Sequence, residues 1–386
     1  MSVRKRIWKT RTGDTKEAWI VDYVDQQGER HIETFERKKD ADARHAEVAI
    51  DVKAGVHVAP SKSATVNEAA ALWLAGNKSK IERATHVDYQ GHVDRFISPN
   101  LGHVRLSCLS RPMVRGFEDR LADRCSNAMV RKVLTTFGTL VADAQERGLV
   151  ARNVVHDLIR SRKGKQNHEK RQKAKLKVGI DIPTPEEVAA ILEGAKAVAK
   201  GRFRPIFVVA AFTGLRASEL RGLRWADVDL KKNELHVRQR ADKFRDIGRP
   251  KSQAGERTVP FGSFVANTLK EWKLRRVESP FDLVFPNGSG NVEDLVNIVK
   301  RGLIPAGITA KVTKEDGAKY TGMHVFRHFY ASWCIDRNLP PKVIQERLGH
   351  ASITITYDRY GHLFPRGDDA QEIDAAEWAL VGRGRT

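Results

Sequence analysis

Hydrophobic and polar residues alternate near the amino terminus, which is the pattern of a half-buried strand. Trp19, Val21 and Tyr23 share one face of an extended segment. Gly28 offers a turn before a second extended segment from His31 to Phe35. This pattern predicts a β-hairpin.

A helical stretch from Ala41 to Val52 follows the hairpin, and a cluster of basic residues precedes the strands. The basic residues are Arg4, Lys5, Arg6, Lys9 and Arg11. We predict a small module of sheet and helix over residues 1–60. It is either a DNA-binding module or a solvated structural cap, because charge and alternation carry no sequence-specific message.

Helical spacing begins at Thr65, which forms a capping box with Glu68. The helix that this box opens has an apolar stripe at i, i+3 and i+4, formed by Ala69, Leu72 and Trp73. Gly102 and Pro112 interrupt the helical pattern, and no strand pattern of comparable strength appears. We therefore predict an all-helical domain over residues 62–160.

A strongly basic segment separates this domain from the rest of the chain. Its cations are Arg160, Arg162, Lys163, Lys165, Lys170, Arg171, Lys173, Lys175 and Lys177, with Glu169 as the only acid between them. Like charges at this density repel one another and do not pack, so we predict an interdomain linker over residues 161–183. Such a linker could lie along DNA phosphates.

A second capping box, Thr184 and Glu187 with Pro185 at the first helical position, marks the start of the last domain. Over residues 184–386 we expect helices, a hairpin around Leu235 to Val259, and helices again. The carboxy-terminal tail contains the apolar residues Ile373, Ala376, Trp378 and Leu380, and it docks on a neighbouring protomer or packs on its own chain. The predicted fold class is mainly α with small β elements, an α+β chain.

The net charge of +20 and the pI near 9.9 favour a polyanionic partner. Nucleic acid is the favoured choice, although ribosomal and anionic-membrane proteins share this bias. No apolar run approaches the ~18 residues of a membrane span, and no secretory signal is seen, so we expect a cytoplasmic protein. Cys108, Cys125 and Cys334 lack paired spacing, which argues against disulfides and cysteine metal sites, and we expect reduced core residues.

The candidate catalytic residues lie in the last domain. The first is Arg216, in the segment Gly214 to Leu220. The glycine permits a tight turn, which places Arg216 at the start of a helix where an anion is favoured. A guanidinium fork suits a phosphate. The alternative is an ion pair between Arg216 and Glu219, three positions on.

His324 and Arg327 are spaced i, i+3, so they point to one side of a helix, whereas His328 lies about 100° round and is expected to be structural. His350 follows Leu348 and Gly349 at a helix end, and Tyr360 lies ten residues later within DRYGH. A phenol has a pKa near 10, so ionising it costs about 4 kcal/mol at pH 7. Neighbouring cations are expected to lower that cost.

The ordered segments GLRASEL, HVFRH, LGH and DRYGH resemble the tyrosine recombinase family, specifically its phage-type integrases. The resemblance covers about residues 184–365, and the ordered set is more specific than any one motif. Residues 62–160 look like the core-site DNA-binding domain of that family, and residues 1–60 resemble its arm-site DNA-binding module. The resemblance implies a three-domain architecture.

The resemblance also implies roles for particular side chains. Arg216 and Arg327 would clamp the phosphate, Tyr360 would be the nucleophile, and His324 and His350 would be accessory histidines. Lys251 matches the family's hairpin lysine, a general acid, with Lys243 as a competitor and a solvated hairpin-tip lysine as the alternative. Tyr357 stands where the family commonly has an aliphatic residue, and we expect it to pack.

The implied activity is site-specific DNA recombination through a covalent 3′-phosphotyrosyl intermediate, integrating and excising a phage or mobile-element genome. It would need no cofactor, no metal and no ATP, because the phosphotyrosine ester retains the energy of the phosphodiester. The implied partners are double-stranded DNA attachment sites, a homotetramer on DNA, a host DNA-bending protein and an excisionase, with no membrane. The alternatives are a catalytically inactive DNA-binding regulator, a metal-dependent nuclease and a type IB-like topoisomerase.

Overall fold

The computed structural model describes residues 1–9, 15–55, 57–60, 63–163, 175–365 and 369–381. It consists of two compact units, Met1–Asn167 and His168–Thr386. Residues 164–174 of the predicted basic linker lie outside the described residues. Within the described part of the chain, no helix is both long and apolar enough to cross a membrane.

The first unit begins with an antiparallel sheet of order β1-β2-β3, formed by β1 (Ser2–Lys9), β2 (Thr15–Val24) and β3 (Arg30–Phe35). Helix α1 (Lys38–Lys53) covers it. The predicted hairpin and helix are therefore confirmed. Strand β1 was not predicted, because nearly all of its side chains are exposed and its basic residues hide any alternation.

The rest of the first unit is helical. Its elements are α2 (Val66–Asn77), α3 (Arg83–His92), a π-helical turn (Val93–Ile97), α4 (Ser98–Leu101), a 3₁₀ turn (Leu106–Cys108), α5 (Arg111–Ala122), α6 (Asn127–Glu146) and α7 (Val154–Lys163). The capping box of Thr65 and Glu68 is present. The predicted stripe is wrong at Leu72, which is 47% exposed. The helix buries Ala69 and Trp73, and Leu72 lies about 100° from Trp73 around the axis.

The second unit contains ten α-helices in its described residues. They are α8 (Pro185–Ala197), α9 (Arg204–Thr213), α10 (Ala217–Gly222), α11 (Ser263–Arg275), α12 (Leu295–Asn297), α13 (Ile304–Thr309), α14 (His324–Asp336), α15 (Pro341–Leu348), α16 (Ile353–Tyr360) and α17 (Asp369–Val381). The predicted capping box of Thr184 and Glu187 opens α8. Helix α9 is almost wholly buried and packs on α14, where the rings of Phe207 and Phe326 stack 5.6 Å apart.

Short strands complete the second unit. They are β4 (Val228–Asp229), β5 (Glu234–Val237), β6 (Arg240–Ala241), β7 (Ile247–Gly248), β8 (Arg257–Pro260), β9 (Thr313–Lys314) and β10 (Gly317–Ala318). Strand β5 pairs with β8, which confirms the predicted hairpin region. The β9–β10 hairpin interrupts a segment predicted as helical, because strands of two residues carry no detectable period.

Two further expectations concern the cysteines and the apolar residues of the carboxy-terminal tail. Cys334 is buried as expected, but Cys108 is exposed and Cys125 is half-buried, so the expectation of three core cysteines is wrong. In the tail helix α17, Trp378 is 55% exposed and Leu380 is 90% exposed. These apolar side chains therefore remain open to solvent in the single chain.

Candidate active site

The turn between α9 and α10 positions Arg216. Gly214 has a φ of 63°, and a Cβ there would lie 2.4 Å from the ring of Tyr330, so this turn requires glycine. Arg216 caps α10, and its Nη1 donates to Glu219 over 2.7 Å. The ion pair considered as the alternative is thus present, yet Nη2 of Arg216 also donates to the carbonyl of Gly349 over 2.9 Å.

Arg327 on α14 is buried, with only 2% of its surface exposed. It donates to the carbonyl of Gly214 over 2.8 Å and to that of Leu348 over 2.6 Å. Burial, together with the nearby charge of Arg216, lowers the pKa of Arg327 to about 9. The guanidinium therefore still carries its charge at pH 7.

A third arginine, Arg257 on β8, completes this arrangement. Its Nε donates to the carbonyl of Arg347 over 2.6 Å, and its Nη2 donates to Glu219 over 2.8 Å. Arg257 was not among the predicted site residues. Strand periodicity could have found it, because Arg257 shares a face of β8 with the buried Val259.

Three arginines therefore donate to three consecutive carbonyls at the end of α15. The donors are Arg257, Arg327 and Arg216, and the acceptors are the carbonyls of Arg347, Leu348 and Gly349. Carbonyls at a helix carboxy terminus lack intrahelical partners and carry the negative end of the helix dipole. Their bonds to the arginines fix the guanidinium groups and the turn before His350 in one geometry.

The carboxylate of Glu219, which is 2% exposed, offsets part of the positive charge of Arg257 and Arg216. Burial alone would raise the pKa of this carboxyl. The hydrogen bonds and charge of Arg257, with the charge of Arg216, outweigh burial and hold the pKa of Glu219 below its usual value. The arrangement is thus a fixed cluster of positive charge around one buried carboxylate.

His350 is buried beside this cluster, and its Nδ1 lies 2.9 Å from the hydroxyl of Thr356. Burial and the charges of Arg327 and Arg216 lower the pKa of His350 to about 3, so its imidazole is neutral at pH 7. His324 is exposed, and its ring meets that of His328 edge-on at 4.6 Å.

Tyr360 is the last residue of α16 and is fully buried. Its phenolic oxygen lies 2.8 Å from Nδ1 of His328. Burial raises the pKa of Tyr360, against the opposing charges of Arg327 and Arg359. The cations act in the expected direction, because Arg327 and Arg359 lower the pKa of Tyr360, but burial outweighs them and the pKa is raised overall.

Two further expectations are corrected here. His328, expected to be structural, contacts the phenol of Tyr360. Sequence spacing along α14 did not suggest this contact, because Tyr360 approaches from another helix. Tyr357, expected to pack, is 50% exposed, although its ring lies 5.8 Å from that of Phe364.

The lysine candidates lie between β6 and β8. Lys251 is exposed in the segment between β7 and β8, and Lys243 is exposed with its ammonium 5.3 Å from the ring centre of Phe244. The segment that carries Lys251 is tied to the arginine cluster, because the carbonyl of Gly255 accepts a hydrogen bond from Arg257 over 2.9 Å. The structure thus ties the segment that carries Lys251 to the cluster.

Residues 183–366 match the model of the phage integrase family. A XerC-like tyrosine recombinase from Caldanaerobacter subterraneus subsp. tengcongensis is 27% identical over 367 residues, covering 88% of this chain and 88% of that protein. The tyrosine recombinase XerC of Xylella fastidiosa is 31% identical over 162 residues, covering 42% of this chain and 49% of that protein. The chain therefore matches about half the length of this second relative.

Two solved structures share the fold. The integrase of transposon Tn1549, in complex with transposon right-end DNA, has a TM-score of 0.66 at 18% identity and covers 82% of this chain and 100% of its own. A lambda integrase tetramer bound to a Holliday junction has a TM-score of 0.57 at 15% identity, covering 90% of this chain and 96% of its own. At these identities the likeness concerns the fold.

Proposed function

We propose which residues of this chain carry out DNA strand transfer. The chain belongs, through residues 183–366, to the phage integrase family of tyrosine recombinases, which are DNA strand-transferring enzymes. In this proposal Tyr360 is the nucleophile, Arg216 and Arg327 clamp the phosphate, and His324 and His350 bind or handle protons beside it. Lys251 is the general acid.

The observation that carries this proposal is the fixed cluster of guanidinium groups next to a buried tyrosine. In-line attack on a phosphodiester spreads negative charge over the nonbridging oxygens, and preoriented arginines stabilise that charge more in the transition state than in the ground state. Arg216 and Arg327 are preoriented by the carbonyls of Gly349 and Leu348. These bonds support the proposal because they fix both guanidinium groups before a phosphate is bound.

The leaving 5′ oxygen needs a proton, which the ammonium of Lys251 supplies in this proposal. The exposed position of Lys251 on a segment anchored by Arg257 leaves it able to reach a bound DNA strand. The product is a 3′-phosphotyrosyl ester that retains the energy of the bond it replaced. Attack by another 5′ hydroxyl reverses the step and rejoins the strand.

Residues 1–60 and 62–160 act in this proposal as the arm-site and core-site DNA-binding domains, joined by the linker at 161–183 to the catalytic domain at 184–386. The substrates are double-stranded attachment sites of a phage or mobile element, which the enzyme integrates and excises as a homotetramer. A host DNA-bending protein and an excisionase are the proposed accessory partners. We place the enzyme on the nucleoid in the cytoplasm of a bacterial host, because chromosomal DNA is its substrate.

Covalent capture tests the proposed nucleophile. The full chain is incubated, with excess chelator, with a pool of nicked duplexes whose central sequence is randomised, and the nick lets the small cleaved fragment diffuse away. We expect a covalent adduct that withstands denaturation and maps by mass to the peptide containing Tyr360. Sequencing the captured DNA then identifies the preferred site.

Two variants one helical turn apart serve as controls for this capture. Tyr360→Phe should abolish the adduct while leaving DNA binding intact, and Tyr357→Phe should leave the adduct unchanged. An adduct on Tyr357, or an activity that the chelator removes, would refute the proposal. A topoisomerase would relax supercoiled DNA without bringing two specific sites together, so relaxation of site-free plasmid separates that alternative.

The exposed tail helix α17 provides a test of the proposed tetramer. Leu380→Asp should weaken the pairing of two captured sites in a gel-shift assay while single-site binding persists, because the substitution places a charge on an apolar surface that would be buried between protomers. Leu274→Asp on α11 is the matched control, since Leu274 is 89% exposed and Leu380 is 90% exposed. Site pairing that is equal in both variants would count against a role for the tail.

A further inference from the structure

We propose that His328 is the base that takes the phenolic proton of Tyr360 during strand cleavage. This inference rests on the proposed function and extends it to a residue outside the motif positions assigned above. His328 is a catalytic residue in this account because it contacts the reacting oxygen directly.

The geometry places an acceptor on the nucleophile. Nδ1 of His328 lies 2.8 Å from the phenolic oxygen of Tyr360, and the two ring centres lie 5.9 Å apart at 62°. This distance is within the reach required of a general base. The phenol O–H donates and Nδ1 accepts in the tautomer that carries its proton on Nε2.

The buried phenol needs such an acceptor. Tyr360 is fully buried, and burial raises its pKa above the usual value. A phenolate formed in advance of the reaction is therefore disfavoured. Proton transfer to a positioned base in the transition state avoids forming the free phenolate. Such a transfer typically contributes about 10²–10⁴-fold to a rate.

His328 is in the correct protonation state to accept the proton. Burial, with the charges of Arg359 and Arg327 and against that of Asp181, lowers the pKa of His328 to about 4, so its imidazole is neutral at pH 7. The ring of His324 contacts the ring of His328 edge-on. A bound phosphodiester adds negative charge beside these arginines, which favours the imidazolium at the moment it forms.

The other two histidines of the site are less suited to this task. His350 uses its Nδ1 on the hydroxyl of Thr356. His324 is exposed and contacts His328 through its ring. Both are left with the roles already proposed for them beside the phosphate.

The reaction balances as follows. The proton of Tyr360 moves to Nδ1 of His328 as the phenolic oxygen forms its bond to phosphorus and the bond from phosphorus to the 5′ oxygen breaks. The 5′ oxygen takes a proton from Lys251. In rejoining, the attacking 5′ hydroxyl returns a proton to Lys251, and the departing phenolic oxygen recovers its proton from His328.

The test compares two nicked duplexes of the captured sequence, one with the natural 5′ oxygen at the scissile phosphate and one with sulfur in that bridging position. A thiolate leaves without protonation, because a thiol has a pKa of about 8.5. Sulfur therefore relieves a defect in the general acid but not a defect in the base. Initial rates of adduct formation are measured for wild type, His328→Asn, His328→Ala and Lys251→Ala.

We expect both His328 variants to form the adduct about 10²–10³-fold more slowly on oxygen and on sulfur substrates. Asparagine retains a hydrogen-bond acceptor near the position of Nδ1 but cannot act as a base, so it should not rescue the rate. Lys251→Ala should recover on the sulfur substrate. Gel-shift affinity and circular dichroism of each variant establish that binding and folding are intact.

Three outcomes would overturn the inference. Wild-type rates in His328→Asn would show that the residue only positions the tyrosine, and faster cleavage in His328→Ala would show that it restrains the tyrosine. Recovery of the His328 variants on the sulfur substrate would place the residue on the leaving group. If the wild type itself gave no adduct at Tyr360, the proposed function would fail first, and the two failures are thereby distinguished.

Discussion

Replacing Arg216 with lysine should slow adduct formation by about 10²–10³-fold, with little change in DNA affinity. Lysine keeps the charge but loses the planar fork, and one ammonium cannot hold Glu219 and the carbonyl of Gly349 while also facing a phosphate. DNA affinity changes little because it sums many phosphate contacts. The measurement is the single-turnover rate on the nicked duplex at saturating enzyme.

Arg224 offers a matched control for this substitution. Its side chain is 37% exposed, as is that of Arg216, and each arginine pairs with an acid three positions on, Asp227 in one case and Glu219 in the other. Arg224→Lys should leave the cleavage rate within about twofold of wild type, because a loss specific to the transition state requires contact with the phosphate. Equal defects in the two variants would refute the phosphate role of Arg216.

Replacing Glu219 with glutamine should lower the free energy of unfolding by about 3–5 kcal/mol, because it leaves the buried Arg257 without its countercharge. Arg257 and Glu219 have side chains that are 6% and 2% exposed, so solvent cannot compensate. The measurement is the midpoint of urea unfolding of the full chain, followed by tryptophan fluorescence. The expected result is a clear shift of that midpoint to lower urea at pH 7.

The exposed pair of Lys196 and Glu193 supplies the control for this effect. Glu193 is 70% exposed, and Glu193→Gln should change stability by less than about 1 kcal/mol. The effect of Glu219→Gln should also depend on pH in a defined direction. Since the folded-state pKa of Glu219 is depressed, its stabilisation is present above its usual pKa of 4.5 and is lost as the pH falls below it.

Wild type and Glu219→Gln should therefore converge in stability under acidic conditions. A difference between them that stayed constant from pH 7 to below pH 4.5 would show that the charge of Glu219 is not what stabilises the arginine cluster. A loss of adduct formation without loss of stability would instead assign Glu219 to positioning Arg216 alone. The two readouts, urea midpoint and cleavage rate, separate these roles.

Much of the local structure could be predicted because its causes lie within a few residues. The capping boxes at Thr65 and Thr184 depend on a hydroxyl and a carboxylate three positions apart. The turn at Gly214 depends on the one residue that adopts its φ without strain. Strands β1 and β9 were missed because one is exposed and the other has only two residues, so neither has a buried period to detect.

The sequence by itself determined the capped start of the last domain, its central hairpin region, and the positions at which Arg216, Arg327, His350 and Tyr360 occur. Only the tertiary structure decided how those side chains are held. Arg257 meets the carbonyl of Arg347 across 90 residues, and His328 meets Tyr360 across 32. Periodicity and spacing describe neighbours along one element, whereas hydrogen bonds and burial depend on which elements pack together. The packing of α14 against α16 brings His328 to Tyr360, and burial raises the pKa of Tyr360.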